Sequence, residues 1–361
     1  MKTILTQEKL ASALNIVSHV SSAKTTLPIL NNLLIRAEDS QLQLNASNLE
    51  MFIISSTTAK VDEEGVICVP ANLVTEFVNN LPKTNIDIES KDGKLTVQAG
   101  NYKSAINTIN PDEFPSTPKD DFSDEIVIKS EVFKNATSQV INCASNDTTR
   151  PILTGAYFHN NNGNLLLTAT DGYRLAEKNI MKTDKDISVI IPIQTISEVN
   201  RILSNEEEIS IFINNEQIKF KIGSTELISR LIDGNYINYS SLIPEKTENS
   251  AVLNKADFIQ AVKVAELFAR ESAGSITIKT NQTDQTLGIN SIKSEFGDNN
   301  SKIEGEVVGD ASITLNARYL LNALNSIEGE KVNFNFSGKL TPALITGEKS
   351  DYKHIIMPVR S

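Results

Sequence analysis
The amino-acid sequence contains one pattern three times. Apolar residues at helical spacing open the segments "EKLASALNIVSHV", "EVFKNATSQVINCA" and "ADFIQAVKVAELFA", with Leu10, Phe133 and Phe258 in corresponding places 123 and 125 residues apart. Each segment sets apolar side chains at i, i+3, i+4 and i+7, the stripe of an amphipathic helix. A second helical segment follows in every copy, "VPANLVTEFVNNL", "IPIQTISEVNRIL" and "LNARYLLNALNSI". Its markers Pro70, Pro192 and Leu315 keep spacings of 122 and 123. Pairs of alternating strands come next and close on Gly100, Gly223 and Gly347, spaced by 123 and 124. The copies end at Phe114-Pro115, Tyr236-Ile237 and Met357-Pro358, spaced by 122 and 121. So many markers agreeing within a few residues make the chain three copies of one domain.

Two stretches without periodicity separate the copies. Residues 110–124 (NPDEFPSTPKDDFSD) and 235–249 (NYINYSSLIPEKTEN) are rich in proline or acid and read as linkers, which sets the domains at 1–121, 122–244 and 245–361. Two helices and several antiparallel strands per copy make an α+β fold. The order helix, strands, helix, strands predicts a further twofold repeat inside each copy. One hairpin stands apart. In "TATDGYRLA" (168–176), Asp171-Gly172 lies between alternating apolar residues and predicts a tight turn, because Gly accepts the positive φ the turn requires. Polar residues would suffice for that turn, yet Tyr173, Arg174 and Leu175 crowd its tip.

The size of one copy limits what several can enclose. A domain of about 120 residues has a radius of gyration of roughly 14 Å, or a sphere about 35 Å across. Three such spheres in a closed ring leave a hole of about 5 Å, and six leave about 35 Å. A DNA duplex is roughly 20 Å across. One chain is too small to surround it; two are large enough. An open stack of the same repeats is the other arrangement that this size allows.

Composition excludes more than it selects. With 361 residues, 40% apolar and 22% charged, the chain is an ordinary globular one too long for a single core. No run approaches the ~18 apolar residues of a membrane span, so no membrane partner is expected, and the N-terminal "MKTILTQEKLAS" lacks the apolar core of a signal peptide. Cys68 and Cys143 sit in apolar stretches without a CxxC partner, which predicts buried, reduced, inert thiols and a cytoplasmic location. The net charge of -11 argues against a simple basic nucleic-acid binder. Within the six helical windows 7–20, 71–81, 130–143, 193–204, 255–270 and 316–327, however, seven basic residues meet six acidic ones, so the rest of the chain carries -12. That segregation leaves the helices close to neutral within an acidic chain, so any attraction to phosphates would be weak and salt-sensitive. For any single helix lysine, a solvated face is the simpler account.

No catalytic machinery emerges. His19, His159 and His354 are scattered without metal-ligand spacing, and the HExxH, GxxxxGK[ST] and GxGxxG patterns are absent. Asp171 reads as a turn residue rather than a catalytic carboxylate. No enzyme activity, catalytic residue, metal or cofactor is expected. Two other readings predict different features. An extracellular β-rich adhesion repeat needs a signal peptide, disulfides or metal-binding turns. A plain nonspecific DNA binder needs net positive charge, and its release from DNA is indifferent to free ends.

The threefold repeat, with "TLPILNNLLI" (26–35), "NPDEFP" (110–115), "TRPILTG" (149–155), "TATDGYRLA" and the terminal "MPVR" (357–360), closely resembles the bacterial sliding-clamp family, the beta subunits of DNA polymerase III. The resemblance spans the whole chain in order. It implies a DNA clamp fold of three repeated clamp domains with antiparallel sheets outside and helices lining a ring. It further implies a head-to-tail homodimer that encircles double-stranded DNA without sequence preference. A clamp loader would place it, and it would act as processivity factor for the DNA polymerase III catalytic subunit, other polymerases and repair proteins.

Site residues follow from the same resemblance. A client-peptide groove between the second and third domains is implied at Leu153, Thr170, Gly172, Tyr173, Arg174 and Leu175, with Ile237, Leu242, Tyr319, Ala343, Ile355, Met357, Pro358, Val359 and Arg360. Leu153, Leu175, Leu242, Ile355 and Met357 would form apolar pockets and Arg174 would orient peptide polar groups. DNA contact is implied for Lys24 and Arg150, and the cations Arg201, Lys263 and Arg270 are further candidates. A dimer contact is expected between Ile106 and Ala273-Gly274, with Lys103 facing the acidic stretch from Asp298 to Glu306. The chain departs from the family at Tyr173, where many members carry histidine, at Ser240-Ser241, which replace basic residues, and at Pro151-Ile152, which replace an aromatic pair.

Overall fold
The computed structural model describes residues 1–21, 27–118, 121–122, 124–203, 207–270, 273–291, 297–349 and 351–359. Its helices are α1 (Gln7–Ser21), α2 (Ala71–Asn79), α3 (Ser130–Val140), α4 (Ile193–Ile202), α5 (Lys255–Phe268) and α6 (Ala317–Ser326), one for each window the spacing predicts. The window 130–143 breaks into α3 and a 3-10 turn at Ile141–Cys143. Asparagines start two of the helices: Asn254 accepts the N–H groups of Ala256 and Asp257 ahead of α5, and Asn316 that of Tyr319 ahead of α6.

The inner twofold repeat is present in all three copies. Each half is a strand, a helix and three more strands, the third of which in the first half of the first copy, 51–58, continues into a short strand 60–63. The leading strand leaves its own half and joins the sheet of the other: 2–6 pairs with 85–91, 65–70 with 32–38, 124–129 with 208–213, 188–192 with 155–161, 249–254 with 331–336, and 312–316 with 275–281. A half therefore lacks one strand of its own sheet until its sister supplies it.

Two compact units make up the chain, Met1–Glu131 with Ser197–Leu231, and Val132–Ile196 with Ile232–Ser361. The first holds a five-stranded sheet in the order 60–63, 2–6, 85–91, 94–99, 102–107, and an eight-stranded sheet in the order 124–129, 208–213, 217–222, 225–230, 51–58, 41–47, 32–38, 65–70. The eight-stranded sheet passes from the first copy to the second where 225–230 lies antiparallel to 51–58, Ile228 opposite Phe52. Helix α1 buries Leu10, Leu14 and Val17 and packs against α2 and against strands 41–47 and 51–58. Each such side chain removed from water contributes about 1.5–3 kcal/mol.

The second unit is built on a twelve-stranded sheet in the order 188–192, 155–161, 164–170, 174–182, 352–356, 343–347, 331–336, 249–254, 300–308, 286–291, 275–281, 312–316. Here the second copy meets the third through 174–182 antiparallel to 352–356, with Leu175 opposite Ile355. Helices α5 and α6 pack together, and Phe258 of α5 sits edge-on to Phe334 at 5.8 Å. Cys68 and Cys143 are buried and unpaired, and burial pushes their thiols up to about 11 and about 12. Among the described residues no helix is long and apolar enough to cross a membrane.

Candidate functional site
The hairpin of 164–170 and 174–182 turns at Asp171-Gly172-Tyr173. Three side chains lock the turn. Thr170 Oγ1 accepts the Gly172 N–H at 3.0 Å and donates to the Arg174 carbonyl at 2.6 Å. Asp171 Oδ1 accepts the N–H groups of Tyr173 and Arg174 at 2.9 and 3.0 Å, while its Oδ2 takes the Arg174 Nε at 3.1 Å. Gly172 stands at φ +92, which a side chain adopts only under strain. With the turn fixed from within, Tyr173 is left 62% exposed at its tip.

Arg174 is committed more deeply than its place at a tip suggests. Its guanidinium pairs with Asp171, donates from Nη2 to the Asn142 carbonyl, and lies 4.5 Å from the centre of the Tyr319 ring. Nη1 is buried without a hydrogen-bond partner. This one donor is unspent, and it sits where the turn meets α6.

Beside the turn, Leu175, Tyr239 and Ile355 form a buried cluster against which Leu242, Tyr157, Tyr236, Ile243 and Leu344 pack. The linker segment around 236–243 thus lies over the sheet junction and carries Leu242 to Leu175 and Ile355. After strand 352–356 the chain stays tied down: Met357 N–H donates to the Tyr173 carbonyl at 2.8 Å and Val359 N–H to the Thr314 carbonyl at 2.9 Å. Of the expected groove residues, Leu153, Thr170, Leu175, Ala343 and Ile355 are buried; Leu242, Tyr319, Met357, Pro358 and Val359 are half-buried, and Ile237 is exposed on the linker. Arg360 lies outside the described residues.

From Tyr239 of this cluster runs a polar network that local sequence patterns did not signal. The Tyr239 hydroxyl donates to Glu177 Oε2 at 2.7 Å, accepts from Thr168 at 3.0 Å and meets His159 Nε2 at 3.0 Å. Lys353 closes the other carboxylate oxygen of Glu177 at 2.9 Å. His159 stacks on Tyr157 at 4.0 Å, and Tyr157 on Tyr236 at 4.8 Å. Burial lowers the His159 pKa, which favours the neutral ring beside the tyrosine. Hydrogen bonds at Tyr239 and the stacked ring of Tyr236 fasten the linker, and Leu242 packs on the same cluster.

The other expected residues are placed as follows. Lys263 and Arg270 are exposed, one on α5 and one just beyond it. Arg201 is not open to an anion: Glu198 and the Asn15 and Ile16 carbonyls take its guanidinium, and the buried Glu198 carboxylate also holds His19 at 2.7 Å. The Glu198–Arg201 spacing of three residues on a helix was the signal for that pairing. Arg150 pairs with Asp147 at 3.0 Å and approaches Gly172 of the 171–173 turn. Lys24 lies outside the described residues. Lys103 is exposed and Ile106 buried on strand 102–107, which ends its sheet. Ala273 and Gly274 lie at positive φ after α5, Gly274 N–H bonding the Ala269 carbonyl at 2.9 Å. Among the described residues no group of three or more His, Cys, Asp or Glu side chains is placed to hold a metal.

Comparison with known proteins accounts for the whole length. Residues 1–118, 127–238 and 240–360 match the models for the N-terminal, central and C-terminal domains of the DNA polymerase III beta subunit. The chain is 30% identical to the beta sliding clamp of Bacillus subtilis and 29% identical to that of Staphylococcus aureus, over 100% of each chain. It superimposes on the crystal structure of the Bacillus subtilis DNA polymerase sliding clamp with a TM-score of 0.96 at 29% identity, covering 100% of this chain and 99% of that one. For the DNA polymerase III subunit beta of Pseudomonas aeruginosa the TM-score is 0.95 at 26% identity, with 100% of both chains covered. The chain belongs to the DNA polymerase III beta subunit family of sliding clamps, non-catalytic processivity factors of DNA replication.

Proposed function
We propose that two copies of this chain join head to tail into a ring that encircles duplex DNA in the cytoplasm and slides on it. A clamp loader opens and closes the ring. Each copy holds domains at 1–121, 122–244 and 245–361, and the 170–175 cleft tethers the DNA polymerase III catalytic subunit, other polymerases and repair proteins. A client peptide would seat an apolar anchor on Leu175, Leu242 and Ile355, between Ile237 and the tail Met357, Pro358 and Val359. The unspent Nη1 of Arg174 is the donor on offer to a peptide carbonyl. Lys263 and Arg270 are the cations for phosphates, whereas Arg201 and Arg150 already have carboxylate partners.

The observation that carries the dimer is a bookkeeping of sheet edges. In two of three cases the last strand of one half pairs antiparallel with the last strand of another: 51–58 with 225–230, and 174–182 with 352–356. Two last strands remain. Strand 102–107 ends its sheet, and among the described residues the 300–304 part of 300–308 has a neighbour only at 286–290. Unpaired edges invite pairing with another chain. Strand 102–107 of one copy laid against 300–304 of a second repeats the same junction and brings Lys103 near Glu304 and Glu306. Made twice, that junction closes two chains on each other.

Retention then comes from topology, because a net charge of -11 gives little affinity for phosphates. Loaded by a clamp loader with ATP onto nicked circular DNA, the protein should stay bound and should leave when one restriction cut linearises the circle. Equal retention on both forms would refute the ring.

A further inference from the structure
The turn at 170–175 has a twin 123 residues earlier. In the hairpin of 41–47 and 51–58, Ser47 Oγ accepts the Leu49 N–H at 3.1 Å, and Asn48 Oδ1 accepts those of Glu50 and Met51 at 3.1 and 2.8 Å. These are the bonds that Thr170 and Asp171 make to residues 172, 173 and 174. Leu49 stands at φ +75 where Gly172 stands at +92. A leucine in that region is strained, and such strain gathers at functional sites. This leucine is also 50% exposed, although an exposed turn has no packing reason to keep it.

The apolar cluster is repeated as well. Phe52 faces Ile228 across the sheet junction as Leu175 faces Ile355, and Phe114 of the first linker packs edge-on to Phe52 at 6.4 Å. Between this turn and the linker opens a cleft of 290 Å³ lined by Leu49, Met51, Pro115 and Gln217, with Glu50 and Arg230 as its charged residues. That volume is at the small end of ligand sites. Both charged side chains are exposed, the Arg230 N–H binds the Glu50 carbonyl, and among the described residues no ion pair engages either side chain. One unpaired cation and one unpaired anion beside an apolar floor define a ligand of matching polarity.

We propose that this cleft is a second docking site, for an extended peptide whose apolar anchor is flanked by a carboxylate for Arg230 and a cation for Glu50. The proposal rests on the reading of the 170–175 turn as a peptide-binding turn, whose scaffold it shares. Its ligands differ, because Met51 replaces Arg174 and the charges lie elsewhere.

The test is photo-crosslinking of the full chain. The probe is a short peptide with benzoylphenylalanine as anchor, Asp on one side and Lys on the other, and the sites of capture are mapped by mass spectrometry. Capture is expected at 47–52 or 228–230 as well as at 170–175 or 355–357. Arg230→Glu, an exposed substitution that leaves the core intact, should cut the first by about tenfold and leave the second within about twofold, tenfold being about 1.4 kcal/mol. Glu50→Lys serves as the second variant and should lower capture at the same segment. Capture confined to 170–175 and 355–357, or capture at 47–52 that neither variant lowers, overturns the second site alone. Capture confined to 47–52 upholds it and overturns the client reading of 170–175. No capture at either place overturns both.

Discussion
Acid should unfold this protein partly through one histidine. His354 is 1% exposed, with its Nδ1 at 2.8 Å from the Tyr352 hydroxyl and its Nε2 at 3.9 Å from the Cys143 sulfur. Burial, helped by the Arg174 cation, pushes its pKa down to about 3 from 6.5. Above pH 6.5 the ring is neutral in both folded and unfolded chains and has no effect on stability. Below it, the unfolded chain takes up a proton that the folded one refuses, so stability falls by up to about 1.4 kcal/mol per pH unit. The loss reaches about 2 kcal/mol at pH 5 and levels off near pH 3 at about 5 kcal/mol. The assay is the urea midpoint as a function of pH, at fixed protomer concentration because association shifts apparent stability. His354→Asn replaces the ring with an amide that does not titrate in this range. The variant should be less stable at neutral pH, and the gap to the parent should shrink by about 2 kcal/mol between pH 7 and pH 5. His159, lowered by burial in the same direction, is present in both proteins and cancels. Parallel pH curves for parent and variant would refute the assignment.

Two further outcomes test the proposed surfaces. Leu175→Ala removes the buried anchor wall opposite Ile355 and should weaken an extended peptide containing Gln and Leu by about thirtyfold, about 2 kcal/mol, in fluorescence anisotropy. Retention on circular DNA should be unchanged; unchanged peptide affinity in a folded variant would remove the site. Lys103→Glu puts a carboxylate on the open edge strand 102–107 and should raise the dimer dissociation constant in sedimentation velocity while making it less responsive to salt. A constant that moves with neither mutation nor salt would take Lys103 out of the interface.

What the sequence disclosed was whatever repeats or has a local period. The helices surfaced because Leu10, Leu14 and Val17, or Phe258, Ala261, Val262 and Ala265, recur at helical spacing and are indeed buried. The Asp171-Gly172 turn was legible for the same local reason. Pairings between distant segments were not. Nothing in Phe52 or Ile228 announces that strands 51–58 and 225–230 are neighbours, because register is decided by how the sheets fit rather than by either strand alone. The polar network was hidden for another reason. Glu177 and Tyr239 look like surface residues in sequence, and the bonds between them and to Lys353 are what make their burial tolerable. Arg174, expected to face a peptide, spends its Nε on Asp171 within the turn and its Nη2 on the Asn142 carbonyl, and the Asp171-to-Arg174 spacing contained the first of these without making it conspicuous.

The pairing of last strands also bears on how the molecule is handled in pieces. Cutting at the first linker would strip strand 225–230 from 51–58 and leave "MFII" at Met51–Ile54 along a bare edge. Exposed apolar edges of that kind template aggregation. A single copy of the repeat, self-contained as it looks in sequence, would therefore be expected to precipitate or swap strands with its neighbours. The solubility of each copy is a property that the adjoining copy confers.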